Sequence, residues 1–242
     1  MPSPVRTNYT LPEPDGTTTK LNEPGAPLEA AVRDQLATAL TEHATGARWV
    51  VLSGSLPPGT PVDWYATLVR TLRSTGARIA VDTSEAPLLA LLAAGRDAAP
   101  DLLKPNTEEL AQLAGVPEET LLAEPAAVHA AVTGLHDRGV GEVLLTLGAD
   151  GALLSTATGR WRARPPRVLV RSTVGAGDSS LAGYLLADLG GADPAHRLRT
   201  AVAYGAASAA LPGSAVPAPH QVDLAGVDVD PDRPGAPVAA GS

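Results

Sequence analysis

In the stretch STVGAGDSSLAGYLLADL, residues 172 to 189, Asp178 follows Gly175, Ala176 and Gly177 at the point where an apolar helical pattern begins. Glycine tolerates tight backbone conformations, so successive N–H groups of such a turn can converge on an anion, and the helix that follows adds the positive end of its dipole. A carboxylate at that joint has two readings. Asp178 or Ser179 caps the helix, or the carboxylate is a base held beside a bound anion. A cap needs only one short polar residue, whereas a glycine on each side of an alanine, followed by Asp, builds an anion pocket with a base next to it. Such a pair suits phosphoryl transfer, where catalysis is mainly positioning and charge neutralisation, with a carboxylate accepting the proton of the attacking hydroxyl. The phosphate-loop pattern G-x-x-x-x-G-K-[ST] is absent, and G-x-G-x-x-G fails because Ser180 stands where the third glycine is needed.

Three further stretches carry polar residues where strands should end. In LLKPNTEEL, residues 102 to 110, Asn106 precedes Glu109 by three, which reads as a capping box with Asn for Ser or Thr. The same geometry offers an amide and a carboxylate that could hold the waters of Mg2+ beside a phosphate pocket, and the motif alone leaves both readings open. LSGSLPPGT, residues 52 to 60, presents hydroxyls and backbone amides of Ser53, Gly54 and Ser55, or is an ordinary Ser-Pro-Gly loop. TLGADGALL, residues 146 to 154, lets backbone lie against a nucleotide or forms a plain turn. No G-x-S-x-G elbow occurs, and the histidines at 43, 129, 136, 196 and 220 lack zinc-ligand spacing.

The elements that must position these residues alternate. RWVVLSGS (48 to 55) reads as a buried strand, residues 63 to 76 as an amphipathic helix ended by Gly76, and ARIAVDT (77 to 83) as the next strand. APLLALLAAG is helical, DLLKPN a short strand, and TEELAQLAG a helix closed by Gly115; another helix covers 125 to 139 and GEVLLTLG is a strand. GALLSTATGRWRAR reads as a hairpin turning at Thr158 and Gly159, and residues 5 to 21 as a hairpin around PEPDG. Repeated strand-helix-strand units imply an α/β fold, a mostly parallel sheet covered on both faces with ligands at the carboxyl ends of its strands. The tail from 223, rich in Pro, Gly, Ala and Asp, is expected to be disordered, leaving residues 1 to 222 as one domain.

At 242 residues the chain suffices for one sizeable core. Its 26 acidic and 18 basic residues give a formal charge of -8 with no basic run, so the overall field repels nucleic acid and anionic membrane, and an anionic ligand must be gripped locally. The absence of cysteine removes disulfides, thiolate metal sites and a Cys nucleophile, and fits a cytoplasmic protein. No apolar run approaches the roughly 20 residues that span a bilayer.

The order S-G-S-L-P-P-G, K-P-N-x-x-E, T-L-G-A-D-G, S-T-V-G-A-G-D-S is more specific than any one piece. In that order the chain resembles the PfkB branch of the ribokinase-like sugar kinases, most closely its bacterial 1-phosphofructokinase members, from Arg6 to about residue 222. The resemblance implies a ribokinase-like three-layer fold and ATP-dependent phosphorylation of a sugar phosphate, most closely fructose 1-phosphate. It implies that Asp178 takes the proton of the C6 hydroxyl and that Gly175, Ala176 and Gly177 form the anion hole. Asn106 and Glu109 would match the element supporting Mg2+ and phosphate through water, and Thr146, Gly148 and Gly151 would lie along ATP. Arg6 and Ser55 are the candidates for the sugar-phosphate end, a guanidinium suiting a phosphate. The chain departs from the family at its start: the N-P-x-x-D-like segment and the Gly-Gly-Lys-Gly-x-Asn loop are absent, so an amino-terminal part of the sheet is expected to be missing. That loss would expose a sheet edge, inviting a homodimer. It also keeps open a different class of reading, a nucleotide-binding remnant with much reduced kinase activity, and leaves 6-phosphofructokinase or tagatose-6-phosphate kinase activity as alternatives.

Overall fold

A computed structural model describes residues 6–12 and 18–232. Strands β3 (Trp49–Ser53), β4 (Arg78–Asp82), β5 (Leu102–Leu103) and β6 (Glu142–Thr146) run parallel, and β7 (Ala152–Thr156), β8 (Gly159–Arg164) and β9 (Asp228–Pro231) continue the sheet antiparallel. The seven stand side by side in sequence order. β1 (Asn8–Pro12) and β2 (Thr18–Asn22) form a separate antiparallel hairpin; the PEPDG turn expected between them lies largely outside the described residues.

Side chains alternate across a strand, and from β4 to β6 both sets are apolar because both sheet faces are covered there, whereas Val51 of β3 is exposed. Ile79, Val81, Leu103, Val143 and Leu145 face a core shared with α2 (Trp64–Leu72), α3 (Glu85–Ala93), α4 (Thr107–Ala114), α5 (Glu118–Ala123) and α6 (Pro125–Asp137). Ala80, Leu102, Leu144 and Leu154 face a second core under α7 (Ala176–Leu189) and α8 (Pro194–Ala209). The result is the three-layer ribokinase-like arrangement expected, with the sheet parallel only in its first half. Where a Cβ on Gly183 would stand, the Thr200 carbonyl oxygen is 2.7 Å away, so α7 and α8 approach closely only because that side chain is absent.

Several elements depart from the sequence reading, α5 and α8 among them, which it did not announce. The first helix, α1 (Ala30–Ala44), went unannounced because its apolar residues do not form one stripe; Ala44 alone is buried. The expected tail is structured as far as residue 232: β9 pairs with β8, Val227 is buried, and Asp232 reaches Nε2 of His129 at 2.6 Å. An edge pairing and a buried valine outweigh a composition that reads as loop.

At the amino ends of the strands a charged network ties α7 and α8 to the sheet. Asp188 of α7 accepts from the Trp49 indole N–H at 2.8 Å and from Arg78 and Arg197 at 3.1 and 2.9 Å. Arg197 also reaches Glu142 at 3.1 Å, and the Tyr184 hydroxyl donates to the same carboxylate. The Arg78 guanidinium stacks 4.0 Å over the Trp49 ring. Burial alone would raise the Asp188 carboxyl, but the indole N–H and the two guanidinium groups outweigh it and hold it below its ordinary value of 3.8. A carboxylate with a depressed folded pKa contributes stability that is present above its unfolded pKa and lost as pH falls through the folded one. Asp188→Asn is therefore expected to cost about 2 kcal/mol near neutral pH, measured by urea denaturation. The variant should also lose less of its remaining stability than wild type on acidification below about pH 4.

Candidate active site

The carboxyl ends of β3 to β6 and the start of α7 meet at one rim, where an open parallel sheet places its ligands. β3 runs out into Ser53, Gly54 and Ser55, β4 into Asp82, β5 into Lys104 and Asn106, and β6 into Thr146. An isolated parallel bridge between Asn106 and Thr146 keeps the β5–β6 register three residues beyond the last ladder pair, Leu103 with Val143. Beside it lies a cleft of about 730 Å3, lined among others by Asn106, Thr146, Gly148, Gly151, Ala176 and Gly177. Gly151 has φ +91°, and a Cβ there would stand 2.0 Å from the Ala163 carbonyl oxygen, so the wall can only be built with glycine.

At the head of α7 the residue in the cap position is Gly175, in the left-handed region at φ 77°, with no side-chain cap. Asp178 is thus the third residue of the helix, exposed and free of capping duty. The first backbone N–H groups of a helix lack intrahelical partners. The Ala176 N–H donates to the Thr173 carbonyl at 3.3 Å, and the bonded ladder begins with Ser179 N–H to Gly175 at 2.8 Å. Gly175, Gly177 and Asp178 have N–H groups with no hydrogen-bond partner among the described residues. The turn therefore presents unengaged donors next to a carboxylate.

Asn106 and Glu109 form the capping box in full: the Asn106 side chain accepts from the Glu109 N–H and the Glu109 carboxylate from the Asn106 N–H, each at 2.8 Å. Capping takes one Glu109 oxygen, Oε2; the other carries no hydrogen bond among the described residues. Burial pushes the Glu109 carboxyl up, opposed by the Asn106 N–H and by Lys104. Both readings of this motif are thus compatible in one place. The described residues contain no group of three His, Cys, Asp or Glu side chains able to hold a metal ion directly. One free carboxylate oxygen and an exposed amide fit a cation that arrives on a nucleotide and is reached through water.

Arg6 and Ser55 come together as a pair, Nη1 donating to Oγ at 2.8 Å, but they do not line the cleft. The backbone behind Ser55 is fixed because the Gly54 carbonyl accepts from both Tyr65 and Thr83 hydroxyls at 2.8 Å. The sequence reading passed over Asp82 and Lys104. Lys104 is buried, and its Nζ lies 3.0 Å from Asp82 Oδ2. Burial pushes the Asp82 carboxyl up, Lys104 opposes that, and the nearby Asp178 charge adds to it. A lone Asp at one strand end and a lone Lys at another look unremarkable in sequence; parallel pairing of β4 with β5 is what joins them.

The family model described as pfkB family carbohydrate kinase matches residues 5–221. The chain is 38% identical over 224 residues to a 1-phosphofructokinase of Rhodobacter capsulatus, covering 92% of this chain and 68% of that protein. It is 41% identical over 201 residues to a 1-phosphofructokinase of Xanthomonas campestris, covering 81% of this chain and 62% of that one. Its structure is similar to that of Escherichia coli phosphofructokinase-2 in complex with potassium, with a TM-score of 0.80 and 31% identity over 90% of this chain and 69% of the other. The chain thus spans about two thirds of the length of the relatives it matches. It belongs to the PfkB family of carbohydrate kinases.

Proposed function

We propose that the chain catalyses ATP-dependent phosphorylation of a sugar phosphate, fructose 1-phosphate to fructose 1,6-bisphosphate. The observation that carries this reading is Asp178 in the first turn of α7, free of capping duty and beside unengaged N–H groups at the end of a cleft. The similarity to proteins named 1-phosphofructokinase supports the choice of sugar phosphate.

ATP lies along Thr146, Gly148 and Gly151, with its γ-phosphate at the turn 175–177. The N–H groups of Gly175, Gly177 and Asp178 stabilise charge on the transferred group as donors already in place, whereas that of Ala176, expected to join them, is taken by the Thr173 carbonyl. Asp178 accepts the proton of the C6 hydroxyl as that oxygen bonds to the γ-phosphorus and the bond to the β-phosphate bridge breaks. When bound with the nucleotide, Mg2+ neutralises phosphate charge. Asn106 and Glu109 would hold its waters. Arg6, oriented by Ser55, takes the phosphate already on the sugar, a bidentate match for a guanidinium. The expected homodimer rests on the edge of β3, a strand paired on one side only among the described residues.

In an ADP-release assay of the 242-residue chain with Mg-ATP, fructose 1-phosphate is expected to be turned over in clear preference to fructose 6-phosphate and tagatose 6-phosphate. Preference for either of the others would reassign the substrate. No turnover from protein that still binds ATP would favour the remnant reading. Asp178→Asn is expected to lower kcat by about 10²-fold or more while ATP affinity stays within about twofold; turnover at the wild-type rate would remove Asp178 from the base role.

A further inference from the structure

The turn that carries Ser55 is held at one residue, Gly54. It has φ +100° and open space where a Cβ would stand, so no side-chain packing restrains its backbone. Glycine moves readily between conformations of either hand. What fixes this one is hydrogen bonding at both ends. Its N–H donates to the Asp82 carbonyl at 2.8 Å, which continues the β3–β4 pairing past Ser53. Its carbonyl oxygen accepts from the Tyr65 hydroxyl and from the Thr83 hydroxyl, each at 2.8 Å. A carbonyl oxygen has two lone pairs, and here both are engaged by side chains from different elements, Tyr65 in α2 and Thr83 just past β4.

Tyr65 and Thr83 are each 5% exposed, so their hydroxyls serve the Gly54 carbonyl and not solvent. Burial pushes the Tyr65 phenol up from its ordinary value of 10.0, and it remains a donor across the neutral range. The peptide from Gly54 to Ser55 is thereby fixed in direction. Ser55 Oγ, one residue on, accepts from Arg6 Nη1 at 2.8 Å. Arg6 and Ser55 are exposed, and neither lines the cleft assigned to the nucleotide. With both hydroxyls gone, the carbonyl lacks partners where an unmet acceptor is costly, and at a bare residue the peptide can rotate toward water. Such a change reaches the sugar-phosphate end and leaves the cleft alone.

We propose that Tyr65 and Thr83 are positioning residues for the sugar phosphate, their two hydroxyls aiming the turn at Gly54 so that Ser55 holds the Arg6 guanidinium on the phosphate the acceptor already carries. The proposal rests on the kinase reading and names what sets its affinity for the acceptor. Either hydroxyl still holds the carbonyl when the other is removed. The two therefore act redundantly, and losing both weakens the acceptor by more than the product of the single losses.

The test is steady-state kinetics of the full chain with Mg-ATP and fructose 1-phosphate, on variants first checked for a cooperative thermal transition. Tyr65→Phe and Thr83→Val are each expected to raise KM for fructose 1-phosphate by about two- to threefold, and the double variant by about twentyfold or more. KM for ATP and kcat are expected to stay within about twofold. Thr83→Ser, which keeps the hydroxyl, is expected to match wild type. In an Arg6→Ala background the double variant is expected to lower kcat/KM by less than about a further twofold, because the residue it acts through is gone. A general loosening of the structure would instead lower kcat or raise both KM values together. A folded double variant with the wild-type KM for fructose 1-phosphate, or with equal rises in both KM values, overturns the assignment, as does an undiminished effect in the Arg6→Ala background. Wild-type protein that turns over no sugar phosphate overturns the kinase reading, and with it the roles of Tyr65 and Thr83.

Discussion

Asp188 is held by three elements at once, through the Trp49 indole on β3, Arg78 on β4 and Arg197 on α8. It lies near the carboxyl end of α7, whose other end carries Asp178. A helix of this length is stiff, so fixing one end and the line of contact with α8 fixes where the other end lies. Glu142 joins the same network from β6 and collects Arg78, Arg197 and Tyr184. The ions at the base of the sheet and the carboxylate at its rim are thus two ends of one rod. Gly183, bare against Thr200, keeps that rod close to α8.

At the rim the governing constraint is charge. A carboxylate is useful as a base only beside the hydroxyl it deprotonates, and on the proposed kinase reading that place adjoins an anion. The fold answers with unengaged N–H groups at the head of α7, with a glycine wall along the cleft, and with a buried lysine behind it. The capping box takes part as well. By fixing Asn106 and one oxygen of Glu109, it stiffens the start of α4 and leaves the other oxygen without a hydrogen bond among the described residues. A structural motif and the proposed binding role can share the same two residues because they use different atoms.

Much of this was legible in the sequence. Apolar runs announced β3, β4 and β6, Gly115 stops α4 in the left-handed conformation, and the glycine turn before α7 stands where the pattern placed it, whereas α2 ends at Leu72 and Gly76 closes the 3-10 turn Arg73–Thr75 that follows. The question of whether Asp178 is a cap could not be settled without the structure, since cap position depends on one backbone angle at Gly175. Asp82 and Lys104 were missed for a different reason. Their meaning lies in strand register, which pairs residues 22 apart and leaves no local pattern. β9 is similar: its place was earned by the free edge of β8, which lies more than 60 residues upstream.

The central claim is that α7 delivers a carboxylate base to a phosphate held by backbone donors, so the phosphoryl group passes directly from nucleotide to sugar. The stereochemical course at phosphorus tests it most directly, using ATP made chiral at the γ-phosphorus with oxygen isotopes and fructose 1-phosphate as acceptor. Direct transfer, with Asp178 acting only on the proton, predicts inversion. Retention would mean two displacements through a phosphorylated side chain, and would contradict a role for Asp178 confined to accepting the proton.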